Sequence, residues 1–434
     1  MLAENERERK MNGKKLLLLG GSPGSREIIQ YAQSQGIHTI VTDWVAPEHS
    51  EAKKMADSYW MDSYTDYDKI ERKCREEEVD AIITASSDYA IESMIELCDR
   101  LHLPCYCTKE SFHYSKNKAD FKEVCKKTGL NVPRDYLLTD ALTEEELDQV
   151  EFPVVVKPVD QNDSIGISFC NNKEELINAY RKARSVSKNP KIIVEEKING
   201  KEFVAYYALA DGEVAFLFFH SLMAPKEFAV KSSFVASNVT PFAKDFMEQM
   251  NEKIICSLKE MGCKDNIAWV QVIMNQNGDF YAIEMGHRFG ADIIPIEYSH
   301  VGEIDIVKWA VECAMGTKHL EKDLPSGLGH AIKRYIYSYE LCCGREGVVK
   351  EILGKSELMN KNIDVKITVN IGEVVHPEMG MGCVGFCADS IDEICILIEE
   401  INQLLQINNS QGENMILQYM SAERFMKEEF SKAI

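Results

Sequence analysis

Four consecutive leucines, Leu16 to Leu19, run into a glycine turn and then into an amphipathic stretch stopped by Gly36. An unbroken apolar run of this kind suits a strand buried on both faces, and the turn followed by a helical period makes the segment a βα unit. His38 to Asp43 supplies a second short strand, Val79 to Ser86 a third, and ESMIELCDRL another helix, with polar, helix-rich sequence between them. Strands that alternate with helices build a parallel sheet covered on both faces. An α/β domain over residues 13–110 is therefore expected, behind a charged leader at 1–12.

From Lys116 the texture changes. NKADFKEVCKKTGLNVP reads as a helix with Ala119, Phe121, Val124 and Cys125 along one side, ended by Gly129 and the extended Val132-Pro133 pair. Apolar strands follow in FPVVVKP, IIVEEKI and FVAYYALADGEVAFLFF, with a helix about KEELINAYRKA. NIAWVQVIMNQNGDFYAIEMG has Asn277-Gly278 between two alternating runs, a strong hairpin signal. The last stretch ends in a helix whose Ile391, Ile394, Cys395, Ile398, Ile401 and Leu405 form one apolar stripe. With 434 residues the chain is too long for one core. The expected division is a second domain at 111–325, with a small lobe at about 120–195 and a large lobe at about 196–325, then a C-terminal α+β lobe at 326–434.

The formal charge of −21 gives a mean field that repels polyanions, so nucleic acid is an unexpected partner and any phosphate site must be local. MLAENERERKMNGKK has no apolar core of a signal peptide, and no run reaches the ~18 apolar residues of a membrane span. A cytoplasmic protein with no membrane partner is expected. Its 14 cysteines should then be reduced, and Cys105/Cys107 and Cys342/Cys343 lack zinc-ribbon spacing.

Three stretches carry candidate chemistry. Gly20-Gly21-Ser22-Pro23-Gly24 joins strand to helix where backbone donors could hold an anion, but it lacks the dinucleotide spacing and reads equally as a tight βα turn, even with Asp43 ending the next strand. Lys157 at a strand end, a polar loop with Gly166, the acids Glu195 and Glu196, and Glu202 beyond Gly200 suit a nucleotide: fixed charge and loop N–H groups for phosphate, carboxylates for ribose or adenine. Gln271 and Glu284, on opposite strands of the Asn-Gly hairpin, offer oxygen ligands for a magnesium ion, and Arg288 offers a planar fork for a phosphoryl group. His220, Lys226 and Lys231 lie in FFHSLMAPKEFAVKSSFV, where solvated loop lysines are the plain alternative to substrate contacts.

In order and spacing, the glycine turn, Asn117-Lys118, FPVVVKP, QNDSIGIS, VEEKINGKEF and the WVQVIM to YAIEMGHR hairpin resemble the ATP-grasp superfamily, in its carboxylate-amine and carboxylate-thiol ligase branch. The likeness is to L-amino acid ligases, and also to the ATP-grasp domains of carbamoyl-phosphate synthase large chains and biotin carboxylases. It implies an ATP-grasp fold of mixed α/β and α+β class, with an N-terminal Rossmann-like pre-ATP-grasp domain and a C-terminal lobe. By the same resemblance Lys118 and Lys157 are the nucleotide-phosphate lysines, with Lys116 as the alternative to Lys118, and Ser164 with Gly166 is the phosphate-covering loop. Glu195, Glu196 and Ile198 form the crossing that reads adenine, Glu202 binds ribose, Gln271 and Glu284 hold metal, and Arg288 is catalytic. His220, Lys231 and His287 are the substrate candidates.

The pattern departs from the family at Gly286, where an asparagine ligand is usual, and at Gln271, where an acid is usual. Two metals are thus in question, with water or an inward-turned His287 in place of the asparagine. The resemblance implies ATP and magnesium, or manganese, and small-molecule carboxylate and amine substrates joined through an acyl phosphate, the default being an amino acid or peptide. The rival expectations are a bicarbonate-using carboxylase or carbamoyl-phosphate-type enzyme, and an ATP-binding scaffold of weak catalysis. A homodimer is the default assembly.

Overall fold

The computed structural model describes residues 11–21, 24–159, 166–224, 235–290, 294–325 and 334–431. Its first sheet is parallel, with β1 (Lys15–Leu19), β2 (His38–Thr42), β3 (Ser58–Trp60) and β4 (Ala81–Ile83) in the order β3-β2-β1-β4. Leu16 to Leu19 are each at most 1% exposed, because helices cover both faces of the central strand. The sequence expectation omitted β3, a three-residue edge strand set in polar surroundings, where too few residues alternate to give a period.

A small antiparallel sheet follows, with β5 (Val154–Pro158) between β6 (Ser168–Cys170) and β7 (Ile192–Glu196). Val154, Val156 and Val194 pack with Leu176 and Ala183 of the helix Lys173–Val186 to make its core. The chain then crosses into a long antiparallel sheet built on β8 (Gly200–Ala210), β9 (Glu213–Met223), β10 (Val235–Ser237), β11 (Asn266–Asn275) and β12 (Phe280–Gly286). The β11–β12 turn forms where Asn277-Gly278 places it, with Gly278 at φ 91°.

The long sheet does not stop at the expected lobe boundary. β13 (Tyr335–Cys342) pairs with β10, and β16 (Asp364–Ile367) and β18 (Gly380–Ala388) extend it, giving the order β12-β11-β8-β9-β10-β13-β18-β16. β14 (Gly347–Val348) pairs with β17 (Val374–Val375), and β15 (Glu351–Leu353) with β19 (Gln406–Asn408). One continuous sheet thus serves separate apolar clusters: Phe203, Phe219 and Phe246 anchor one, and Tyr337, Phe386 and Phe425 anchor the other, with Ile394, Ile398 and Ile401 of the striped helix packed in the latter. Among the described residues no helix is long and apolar enough to cross a membrane. All 14 cysteines are free thiols.

Candidate functional site

The site lies where the small sheet meets the edge of the long one. Strand alternation buries Val154 and Val156 in the small-lobe core and turns Lys157 to the opposite face. Glu195 shares that face, since its register partner is Val155 and Lys157 faces Ile193. Lys157 pairs with Glu195 Oε1, and both are buried. The helix Lys118–Lys127, capped by the Asn117 side chain, bridges the two sheets. Its Lys118 reaches Glu284 of β12 at 3.1 Å, and Lys122, one turn on, donates to Glu195 Oε2 at 2.8 Å and pairs with Asp135.

Glu284 owes its position to a bulge. Ala282 lies in the aromatic core opposite Val272, and strict alternation would send Glu284 to the same side. The register shift between Gln271 and Val272 makes Glu284 the cross-strand partner of Gln271 instead. Gln271 Nε2 donates to Glu202 Oε2 at 3.0 Å, so its amide oxygen is not spent on that bond, and Glu284 is its cross-strand neighbour. Oxygen donors on neighbouring strands suit a hard cation, the remaining positions being left to water and phosphate. Among the described residues no group of three or more His, Cys, Asp or Glu is arranged to hold a metal without such help.

Electrostatics tie these groups together. Burial raises the Glu284 pKa, but Lys118, Lys157 and Arg288 outweigh it and the carboxyl is held below its usual range. Glu195 behaves alike, with burial opposed by Lys157 and Lys122 and the net shift downward. Glu202 goes the other way: burial, with a smaller push from Glu284, lifts it to about 7 against the Gln271 hydrogen bond. Arg288 is clamped by Asp88, at the start of the helix Asp88–Leu101, through Nε at 2.5 Å and Nη2 at 3.0 Å. Its third donor goes to the Phe289 carbonyl at 2.7 Å, and its guanidinium lies 5.2 Å from the Trp269 ring centre. Among the described residues these partners take three of its five N–H groups, leaving one on each terminal nitrogen.

Residues 150–296 match the family of the ATP-grasp domain. That segment is similar to an ATP-grasp domain. Among curated relatives, it is 31% identical to the formate-dependent phosphoribosylglycinamide formyltransferase of Trichormus variabilis over 192 residues, 43% of this chain and 48% of that protein. It is 28% identical to the D-alanine–D-alanine ligase of Francisella philomiragia over 188 residues, 42% of this chain and 60% of that one. The aligned stretch spans only 20% of the carbamoyl phosphate synthase large chain of Thermoanaerobacter, at 27% identity over 222 residues and 50% of this chain. The chain thus spans less than two thirds of the length of these relatives. Likeness of fold reaches further. The L-amino acid ligase of Bacillus licheniformis superposes with a TM-score of 0.76 at 18% identity, covering 92% of this chain and 99% of that one. The biotin carboxylase domain of the Hydrogenobacter thermophilus 2-oxoglutarate carboxylase, solved with magnesium ADP, ADP and bicarbonate, gives 0.73 at 19% identity and 89% of each chain.

Lys118, Lys157, Glu195, Glu202, Gln271, Glu284 and Arg288 are brought together where the two sheets meet, and other expected residues are not. Lys116 pairs with Glu92 at 2.8 Å and is 40% exposed, so Lys118 is the lysine of this helix pair that enters the cluster. Glu195 turns its carboxylate to two lysines rather than to the crossing, which corrects its expected role at adenine; Glu196 leans on the Arg134 backbone and Ile198 lies in the crossing itself. Gly166 takes φ 79°, and an added Cβ there would sit 2.8 Å from Pro158 and Val186. Ser164, Lys226 and Lys231 lie outside the described residues.

Both histidines expected at substrate are corrected. His220 is wholly buried, stacked 5.8 and 5.9 Å from Tyr206 and Phe218. His287 is buried with Nδ1 at Ser111 Oγ (3.1 Å) and Nε2 at the Asp265 carbonyl (2.7 Å), and burial drives its pKa down to about 4. It does turn inward, but onto protein atoms rather than toward a metal. Gly286 faces Trp269 across the strands, and a Cβ there would lie 2.3 Å from the indole, so a side chain at this position is excluded by the ring.

Sequence reasoning missed Lys122, Asp135, Asp88 and Trp269. Lys122 did carry a signal, its i+4 spacing from Lys118 on one helix face. Asp88 had none, as it is 200 residues from the arginine it holds.

Proposed function

We propose that this protein is an ATP-dependent ligase that activates a substrate carboxylate as an acyl phosphate and joins it to an amine, releasing ADP and phosphate. The observation that carries this reading is that Lys118 pairs with Glu284 at 3.1 Å while Lys157 and Arg288, from two further elements, lie near enough for their charges to act on the same carboxylate. In a chain of net charge −21, such a gathering of cations suits a polyphosphate.

Lys157 and Lys118 bind phosphate oxygens, Glu202 accepts a ribose hydroxyl, and the backbone of the crossing from Glu196 to Ile198 reads adenine. Gln271 and Glu284 hold magnesium, which neutralises phosphate charge when bound. A carboxylate oxygen attacks the γ-phosphorus, the P–O bond to ADP breaks, and Arg288 places its two remaining N–H groups on the transferred group. The amine nitrogen then bonds to the acyl carbon, the C–O bond to phosphate breaks, and the amine proton leaves to solvent. Positioning supplies most of the rate, with no protein nucleophile involved.

The test is ADP release by the full chain with magnesium ATP and a panel of amino acids and short peptides as acid and amine. Release that requires both partners supports the ligase, and release driven by bicarbonate supports a carboxylase-type enzyme instead. A second reading is favoured by Trp269, whose indole occupies the side-chain space at Gly286. Nucleotide binding without turnover in any combination would support that reading, a nucleotide-binding protein without the chemistry.

A further inference from the structure

Lys122 is a buried cation for which the proposed reaction has no use. It is 1% exposed, and its ammonium meets two carboxylates, Glu195 at 2.8 Å and Asp135. Glu195 in turn has one oxygen on Lys122 and the other on Lys157. Asp135 is shared as well, since its second oxygen faces Lys126 at 3.3 Å on the solvent side.

A buried lysine with a carboxylate of its own forms a closed, neutral pair that has little attraction for an incoming anion. Dividing that carboxylate between two lysines changes the balance. Glu195 is shared by Lys157 and Lys122, so it holds Lys157 with only one of its oxygens. Lys118 belongs to the same helix as Lys122, so the contact that divides Glu195 also fixes the element bearing the second cleft lysine.

We propose that Lys122 is a positioning residue for Lys157: by taking one oxygen of Glu195 it keeps Lys157 aimed and available to nucleotide phosphate. This rests on the nucleotide reading of the site and names a residue outside the segment matched to the ATP-grasp domain. Lys122 touches no phosphate itself and acts through Glu195.

The experiment measures binding of ADP with magnesium, and of adenosine, to the full chain by calorimetry. Wild type that binds no ADP would sink the nucleotide reading itself, separately from this inference. Given wild-type binding, Lys122→Met should weaken ADP by about tenfold or more and leave adenosine within about twofold, since only phosphate contacts depend on Lys157. Lys122→Arg should recover most of the loss. Lys126→Met, which trims Asp135 but not Glu195, should leave both affinities within about twofold. The decisive variant is Lys122→Met with Glu195→Gln, because a neutral amide no longer captures Lys157; ADP affinity should return to within about threefold of wild type. That double variant leaves no unpaired charge against Lys157 and carries the test if the single one fails to fold. Equal loss of ADP and adenosine in Lys122→Met, or a double variant that binds ADP no better than the single, would overturn the proposal.

Discussion

Two regions of this chain look alike as sequence, each offering an anion a set of donors at a strand end, and they differ in where their own counter-charge comes from. At the glycine turn, Gly21 N–H donates to Asp43 Oδ2 at 3.2 Å, and Asp43 is locked by Lys53 at 2.6 Å, with Lys53 also donating to the carbonyls of Asp43 and Val45. The Lys53 side chain is fully buried and every partner lies within one small domain. In the cleft, Lys118, Lys157 and Arg288 are paired with Glu284, Glu195 and Asp88, which arrive on other elements, and Glu284 keeps 31% of its side chain exposed. A donor satisfied by a short local loop is part of the fold. Lys118, whose partner Glu284 stands on a different element and keeps water within reach, is poised to exchange it for a ligand.

The sharpest way to break this contrast is Lys157→Ala. Lys122 still covers Glu195, so the fold should survive while ATP-dependent ADP release falls by at least about a thousandfold. Activity near wild type would remove the cleft from the chemistry. The matching change at the turn is Asp43→Ala, which strands a buried lysine and should cost about 3–5 kcal/mol in a denaturant melt, with ADP affinity of the folded protein unchanged. A loss of nucleotide affinity there would mean that the two regions are not different in kind.

Gly286→Ala should cost about 1–3 kcal/mol, because the new methyl must displace the Trp269 ring, and tryptophan emission should shift with it. An unchanged spectrum would show that the ring does not fill that space. The smallest effect is a slope. Glu202 is lifted to about 7 when folded, so the folded protein holds a proton that the unfolded chain gives up near its ordinary value of 4.5. Stability from this group is complete below that value and is lost as pH rises through about 7. Glu202→Gln should therefore flatten the decline in melting temperature between pH 4.5 and 7 relative to wild type, and parallel curves would refute the assignment. Glu429, also lifted to about 7, keeps its own slope in both proteins.

Much of the fold was legible because it is written in short-range patterns. Leu16 to Leu19 needed only their own run to be a central strand, Asn277-Gly278 sat where the hairpin turns, and the Ile394, Ile398 and Ile401 stripe gave its helix a buried side. The short edge strand at Ser58–Trp60 did not show, nor did the passage of the long sheet beyond residue 325, since pairing of β10 with β13 leaves no mark in either strand alone. The cleft was legible as a set of residue types in order. His220 and His287 were misplaced for a related reason, because a histidine in a strand or turn reads the same whether it meets substrate or a core.

The chain's letters by themselves settled which segments become strands and helices, and which lysines and acids stand at strand ends, because periodicity and turn chemistry act over a few neighbours. Only the folded molecule decided who partners whom: the bulge that swings Glu284 to the face of Gln271, the clamp of Asp88 on Arg288, and the division of Glu195 between Lys122 and Lys157. The contact of Lys122 with Glu195 joins residues 73 positions apart and the clamp of Asp88 on Arg288 joins residues 200 apart, so they depend on how whole elements pack, and no local pattern encodes that.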